Sequence, residues 1–129
     1  MGDVRLRLLL PASYMAALFL LSSVPGDISP ESAIGAAFQW VQPAWQNLLH
    51  VPLYAGLALS WLWALEPFDI QYRRRVMSAI LLSAAWGILD EVHQSFVPGR
   101  YPSWTDVALN LLGVAIVFAY VTLRPGRTP

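Results

Sequence analysis

Around residue 90 the chain reads Asp90-Glu91-Val92-His93-Gln94, two adjacent carboxyl groups, an imidazole and an amide, and Val97-Pro98-Gly99-Arg100 follows. A carboxyl group beside a histidine can trade a proton with a bound molecule, because imidazole titrates near neutrality and a carboxyl can serve as acid or base. Carboxylates with a histidine also suit a hard divalent cation, although the spacing is not H-E-x-x-H and the metal signal is weak. Arg100 offers a planar fork for a phosphate or carboxylate on the same molecule. Other chemistries are excluded by composition: there is no cysteine and no lysine, so no thiolate, no Schiff base and no Lys-dependent phosphate loop. Apart from a carboxylate or Ser95, no covalent nucleophile is at hand. No arginine-rich face with interleaved aromatics points to nucleic acid.

These polar groups sit in an apolar chain. Of 129 residues, 57% are hydrophobic and 12% charged, with mean hydropathy +0.51, which lies outside the range of soluble domains and makes a bilayer the expected solvent. A span needs roughly 20 mainly apolar residues. Four windows qualify, at about 6–24, 44–65, 76–96 and 104–123. The expected fold is therefore all-α: one integral-membrane domain over 1–129, a polytopic bundle of four transmembrane helices. The first window could also be read as a signal peptide, since Arg5 and Arg7 precede it and Ser22 and Ser23 are small. Against this, its apolar run is long and no A-x-A site follows.

Arginine placement sets the expected orientation. Arg5, Arg7, Arg73, Arg74, Arg75, Arg124 and Arg127 fall on one side of the four windows, and Arg100 alone falls on the other. Both termini are thus expected in the cytoplasm, with the loop after span three facing outward. In the first outer loop, Ser29-Pro30-Glu31 reads as a helix start, and Ile34, Ala37, Phe38, Val41 and Trp45 then recur at helical spacing. The pattern predicts a short interfacial helix. Trp40, Trp45, Tyr101 and Trp104 would join an aromatic belt at that surface.

At 100° per residue, Asp90, His93, Gln94 and Glu91 occupy one arc of about 160° on span three. Span four carries Asp106, Asn110 and Gly113 on a narrow stripe, where the glycine would admit another helix closely. Span two carries Asn47, His50 and Tyr54 on another. His50, Asp90 and Asn110 each lie about six residues, roughly 9 Å, inside the outer end of their spans. Charged residues at a bilayer centre cost about 2.5–3.5 kcal/mol on insertion scales, so such groups usually face one another or a water-filled cavity. The expectation is one outward-opening pocket holding His50, Tyr54, Asp90, Glu91, His93, Gln94, Asp106 and Asn110, with Arg100 over its mouth.

Each residue also has a structural reading. Ser103-Trp104-Thr105-Asp106 has capping-box spacing, so Asp106 could simply start span four. Val97-Pro98-Gly99-Arg100 carries the residues of a type II turn. Asn110 and Gln94 could be interhelical glue, Tyr54 a packing tyrosine, and Arg100 the ion-pair partner of Asp90 or Asp106. Two adjacent carboxylates and a histidine inside an apolar span are harder to justify as packing, and for Asp90, Glu91 and His93 function is the stronger reading.

The run from Asp90 to Arg100, followed by Ser103, Asp106, Asn110 and Gly113, resembles the signature of VanZ-like proteins, and His50 with Tyr54 is similar to that family's H-x-x-x-Y. The similarity covers about residues 45–117. Gln46 and Asn47 stand where family members often carry Asp-Lys. The resemblance implies a small bacterial cytoplasmic-membrane protein of four or more helices, in a family whose founding member is associated with reduced sensitivity to the glycopeptide teicoplanin. Three functions stay open. In the first, Asp90, Glu91, His93 and His50 carry acid-base or metal chemistry on an envelope lipid or lipid-linked cell-wall precursor, whose head meets Arg100, Gln94, Asp106, Asn110 and Tyr54. In the second, the same pocket binds a lipid head, an ion or an amphiphilic drug without catalysis. In the third, the polar layer is a structural core or a proton path.

Overall fold

The computed structural model describes residues 4–33, 35–36 and 47–123. Four α-helices follow one another: α1 Val4–Ser22, α2 His50–Ala64, α3 Tyr72–Gln94 and α4 Trp104–Leu123. No strand occurs among the described residues. α1, α3 and α4 are long and apolar enough to cross a membrane. α2 has 15 residues, about 22 Å of helix, which is short for a hydrocarbon core of about 30 Å. Sequence periodicity predicts a second span over 44–65, and its first residues lie outside the described ones, as does most of the predicted interfacial helix. The described start of that segment keeps its cap: the Glu31 N–H donates to Ser29 Oγ at 3.3 Å.

The helices run alternately up and down. At one end Arg7 of α1 meets Glu66 just beyond α2, and the Tyr72 hydroxyl at the start of α3 donates to the Val121 carbonyl near the end of α4. At the other end the Gly26 N–H donates to the Pro98 carbonyl, joining the loop after α1 to the loop after α3. Arg7 and the Arg73–Arg75 triplet therefore share one end, called inner below, and Arg100 occupies the outer one.

α2 and α3 each touch all the other helices, whereas α1 and α4 flank them and do not meet. Small residues make the central contacts close. A Cβ on Gly113 of α4 would lie 2.2 Å from the Val51 carbonyl oxygen of α2, so only glycine permits this backbone approach. Tyr54, Leu57, Leu18 and Val114 form the buried core, while Leu6, Leu9, Leu20, Leu81, Leu89 and Ile116 point outward. Large apolar side chains turned outward are unfavourable in water and cost nothing among acyl chains.

α3 ends at Gln94 because the chain then turns. Val97 accepts from the Arg100 N–H at 3.1 Å, and Gly99 takes φ +69°, the left-handed conformation that the third position of a type II turn requires. The Asp90–Gln94 run thus forms the last turn of α3, at the outer end.

Candidate functional site

The chemistry begins with Asn110, which is fully buried on α4. Its Nδ2 donates to the Gly87 carbonyl of α3 at 3.3 Å, which turns Oδ1 toward His50 of α2 at 2.7 Å from Nδ1. An amide oxygen only accepts, so Nδ1 carries the proton, and in the neutral ring Nε2 is left as the acceptor. Gly87 makes the arrangement possible, because a Cβ there would lie 3.0 Å from the Tyr54 ring and 3.1 Å from the Asn110 Cβ. One turn below His50 on α2, Tyr54 lies parallel to it, with the planes 5° apart and the ring centres separated by 6.5 Å. The Tyr54 hydroxyl donates to Asp90 Oδ2 at 3.2 Å, and Gln94 Nε2 donates to the same oxygen at 3.3 Å.

His50, Tyr54, Asp90 and Gln94 line a cavity of about 200 Å³ whose walls also include Asn47, Asp106, Arg100 and, from α1, Leu18, Leu21 and Ser22; Asn110, expected in the pocket, is not on its wall and reaches it through His50. Asp90 is 6% exposed and its Oδ1 has no hydrogen-bond partner among the described residues; Oδ1 of Asp106 is also buried and without one there. A buried acceptor left unpaired costs roughly 1–3 kcal/mol, more when charged. In native proteins such a group is accounted for by strain, by a catalytic role, or by a water or ion that meets it.

Asp106 does not close a capping box. Ser103 Oγ accepts from the Thr105 N–H at 3.1 Å, but the Ser103 N–H points to Glu91 Oε2 at 3.5 Å. The acidic partner of that N–H comes from α3, and the Asp106 carboxylate is left on the cavity wall.

Glu91 and His93 stand apart from this cavity. The expected single pocket is divided, because successive residues turn by 100°, so Glu91 and His93 flank Asp90 on opposite sides, about 160° from each other. Glu91, 4% exposed, leans toward α4 and lines a separate, mostly apolar cavity of about 320 Å³ with Trp104 and Val107, its Oε1 unpaired among the described residues. His93 leans toward α1. Its ring lies 4.3 Å from that of Phe19, and its Nε2 is 3.0 Å from Ser23 Oγ. Because that hydroxyl donates to the Phe19 carbonyl at 2.6 Å, it receives its hydrogen bond from His93.

Arg100 pairs with neither Asp90 nor Asp106. Its Nε donates to the Val24 carbonyl at 3.0 Å and its Nη2 to the Leu21 carbonyl at 3.5 Å. The guanidinium thus caps the exposed carbonyl end of α1, where a cation is favoured. Nη1 makes no bond among the described residues, so the cap leaves donors over on a cavity wall. Among the described residues no three His, Asp or Glu side chains converge as a metal-ligand group.

Sequence reasoning misses the share of α1, whose Leu18, Leu21 and Ser22 close the cavity and whose Ser23 holds His93. The signal available was the Ser22-Ser23 pair at the outer end of an otherwise apolar helix. It also misses Gly87, which lies one turn before Asp90 on the same face.

The VanZ/LLP1 family model matches residues 8–124. No curated protein and no solved structure matches the chain. The family match reaches all four helices and includes every residue of the His50 cavity, and the chain belongs to the VanZ/LLP1 family.

Proposed function

We propose that this VanZ-family protein acts from the outer half of the bacterial cytoplasmic membrane, both termini in the cytoplasm, on the polar head of an envelope lipid or lipid-linked cell-wall precursor. The supporting observation is the fixed tautomer of His50. With Nδ1–H held by Asn110 at 2.7 Å, the neutral ring offers Nε2 as a base on a residue that shares its cavity with Asp90 and Asp106. In this reading His50 takes a proton from the lipid head, or from a water attacking it, and the carboxylates stabilise the imidazolium that forms. Arg100 supplies the spare N–H groups that orient a phosphate. Glu91 and His93, which face away from the cavity, act by position: Glu91 fixes the start of α4 and His93 fixes α1.

A second reading, a binder without catalysis, is favoured by size. Ligand pockets for drug-sized molecules usually span about 300–1,000 Å³, and a cavity of about 200 Å³ suits one head group or ion. An entire amphiphilic glycopeptide would engage it only through a small terminal group.

His50→Asn separates the readings. Its side-chain amide keeps a donor toward Asn110 and removes Nε2. Envelope lipids from cells with no protein, wild type, or the variant at equal membrane abundance are compared by mass spectrometry. A lipid covalently altered by wild type and unaltered by the variant supports catalysis; a teicoplanin or lipid-binding phenotype that persists in the variant supports binding. If both phenotypes are absent in cells with wild type, both readings fail.

A further inference from the structure

The inner end of the bundle holds a second polar cavity, distant from His50. It encloses about 230 Å³, with Arg75, Tyr72 and Tyr120 on one side and Leu59, Leu62 and Trp63 on the other. Arg75 Nε is buried and has no hydrogen-bond partner among the described residues. An arginine cannot shed its charge, so a buried guanidinium N–H calls for an acceptor, and planar bidentate recognition favours phosphate or carboxylate.

The carboxylate on that wall is engaged elsewhere, because Glu66 Oε2 lies 2.8 Å from Arg7. The Arg75 guanidinium lies over the Tyr72 ring, 5.2 Å from its centre, and the Tyr72 hydroxyl is committed to Val121. The guanidinium is thus placed over a tethered ring, at the membrane boundary where α3 begins.

Two further features select among anions. Arg73 and Arg74 are exposed beside it, and clustered arginines next to a span attract anionic lipid surfaces. Leu59 and Trp63 are half exposed on the apolar flank, where an acyl chain can lie; a free phosphate would gain nothing there.

We propose that this inner cavity binds the phosphate head of an anionic phospholipid, with Arg75 as its principal ligand and an acyl chain along Leu59 and Trp63. The site is independent of the outer cavity and of any activity there.

The test is native mass spectrometry of the purified full chain, released from detergent in equal amounts of phosphatidylglycerol and phosphatidylcholine of matched chains. Wild type should retain phosphatidylglycerol by at least about fivefold, the factor one basic residue supplies near an anionic surface. Arg75→Gln should bring that preference near parity, and Arg73→Gln, on the exposed side, should reduce it less. Equal retention of both lipids by wild type overturns the proposal without reference to any variant. It is also overturned if a folded Arg75→Gln, verified by thermal unfolding, keeps the preference. Competition by inorganic phosphate as effective as that by the long-chain lipid would likewise overturn it, since the acyl groove would then contribute nothing.

Discussion

At the inner end Arg7 and Glu66 meet at 2.8 Å with side chains 30% and 58% exposed, and the Arg7 guanidinium also lies 4.8 Å above the Trp63 ring. At the outer end Asp90, Glu91 and Asp106 form no ion pair among the described residues; there Asp90 and Glu91 meet neutral donors, the Tyr54 hydroxyl, the Gln94 amide and the Ser103 N–H. The inner pair is wet, opposite in charge and of the kind that contributes about 0–1 kcal/mol. Asp90 and Glu91 are buried, and packing alone would be served as well or better by apolar side chains. One end therefore reads as anchorage, and the other as a site kept despite its cost.

The comparison breaks most sharply if the outer polar groups prove dispensable. His50→Asn and Asp90→Asn should each lower conversion of the lipid by about 10²–10⁴-fold, the range of general acid-base catalysis, while leaving membrane abundance unchanged. The rate of lipid product formation, followed by mass spectrometry, measures it. Glu66→Gln should leave that rate unchanged, and an equal loss would erase the contrast between the ends.

Gly113→Ala should follow in size. The added Cβ meets the Val51 carbonyl, α2 and α4 must separate, and overpacking of this kind costs about 1–3 kcal/mol. Thermal unfolding in detergent reads the loss. A midpoint equal to wild type would show that the helices give way freely, and the His50–Asn110 geometry would lose its support.

Tyr54→Phe removes one donor from Asp90 and keeps the ring. Hydrogen bonds between membrane helices average about 0.6 kcal/mol and reach about 1.7, so stability should fall by that much or less. The smallest effect belongs to the inner pair. Glu66→Gln should shift stability by under about 1 kcal/mol, and less at high salt, because both partners are exposed enough to be screened. A larger loss would make the inner end structural rather than an anchor.

Helical class, the long apolar stretches, the type II turn at Gly99 and the separation of Arg7 and Arg73–Arg75 from Arg100 were all legible in the sequence. They depend on local rules: the apolar length that lipid demands, the φ that only glycine takes freely, and residue order along a span. α4 begins and ends where its apolar window does, and Gly113 makes the close helix contact that its stripe implies. The order of Asp90, Glu91 and His93 on α3 was equally plain, as was their 160° arc.

How that arc is shared among neighbours was decided only by packing. Three helices surround the end of α3, so Asp90 faces α2, Glu91 turns to the start of α4, and His93 to α1. An angular pattern on one helix does not say which partner fills each sector. The tautomer of His50 is set by Asn110, sixty residues away, and Asn110 is in turn oriented by the carbonyl of Gly87. Arg100 caps α1, although nothing in its own neighbourhood in the chain identifies those carbonyls. Composition and period specify each helix from within; the contacts that give a side chain its chemical role come from other helices, and only the assembled bundle supplies them.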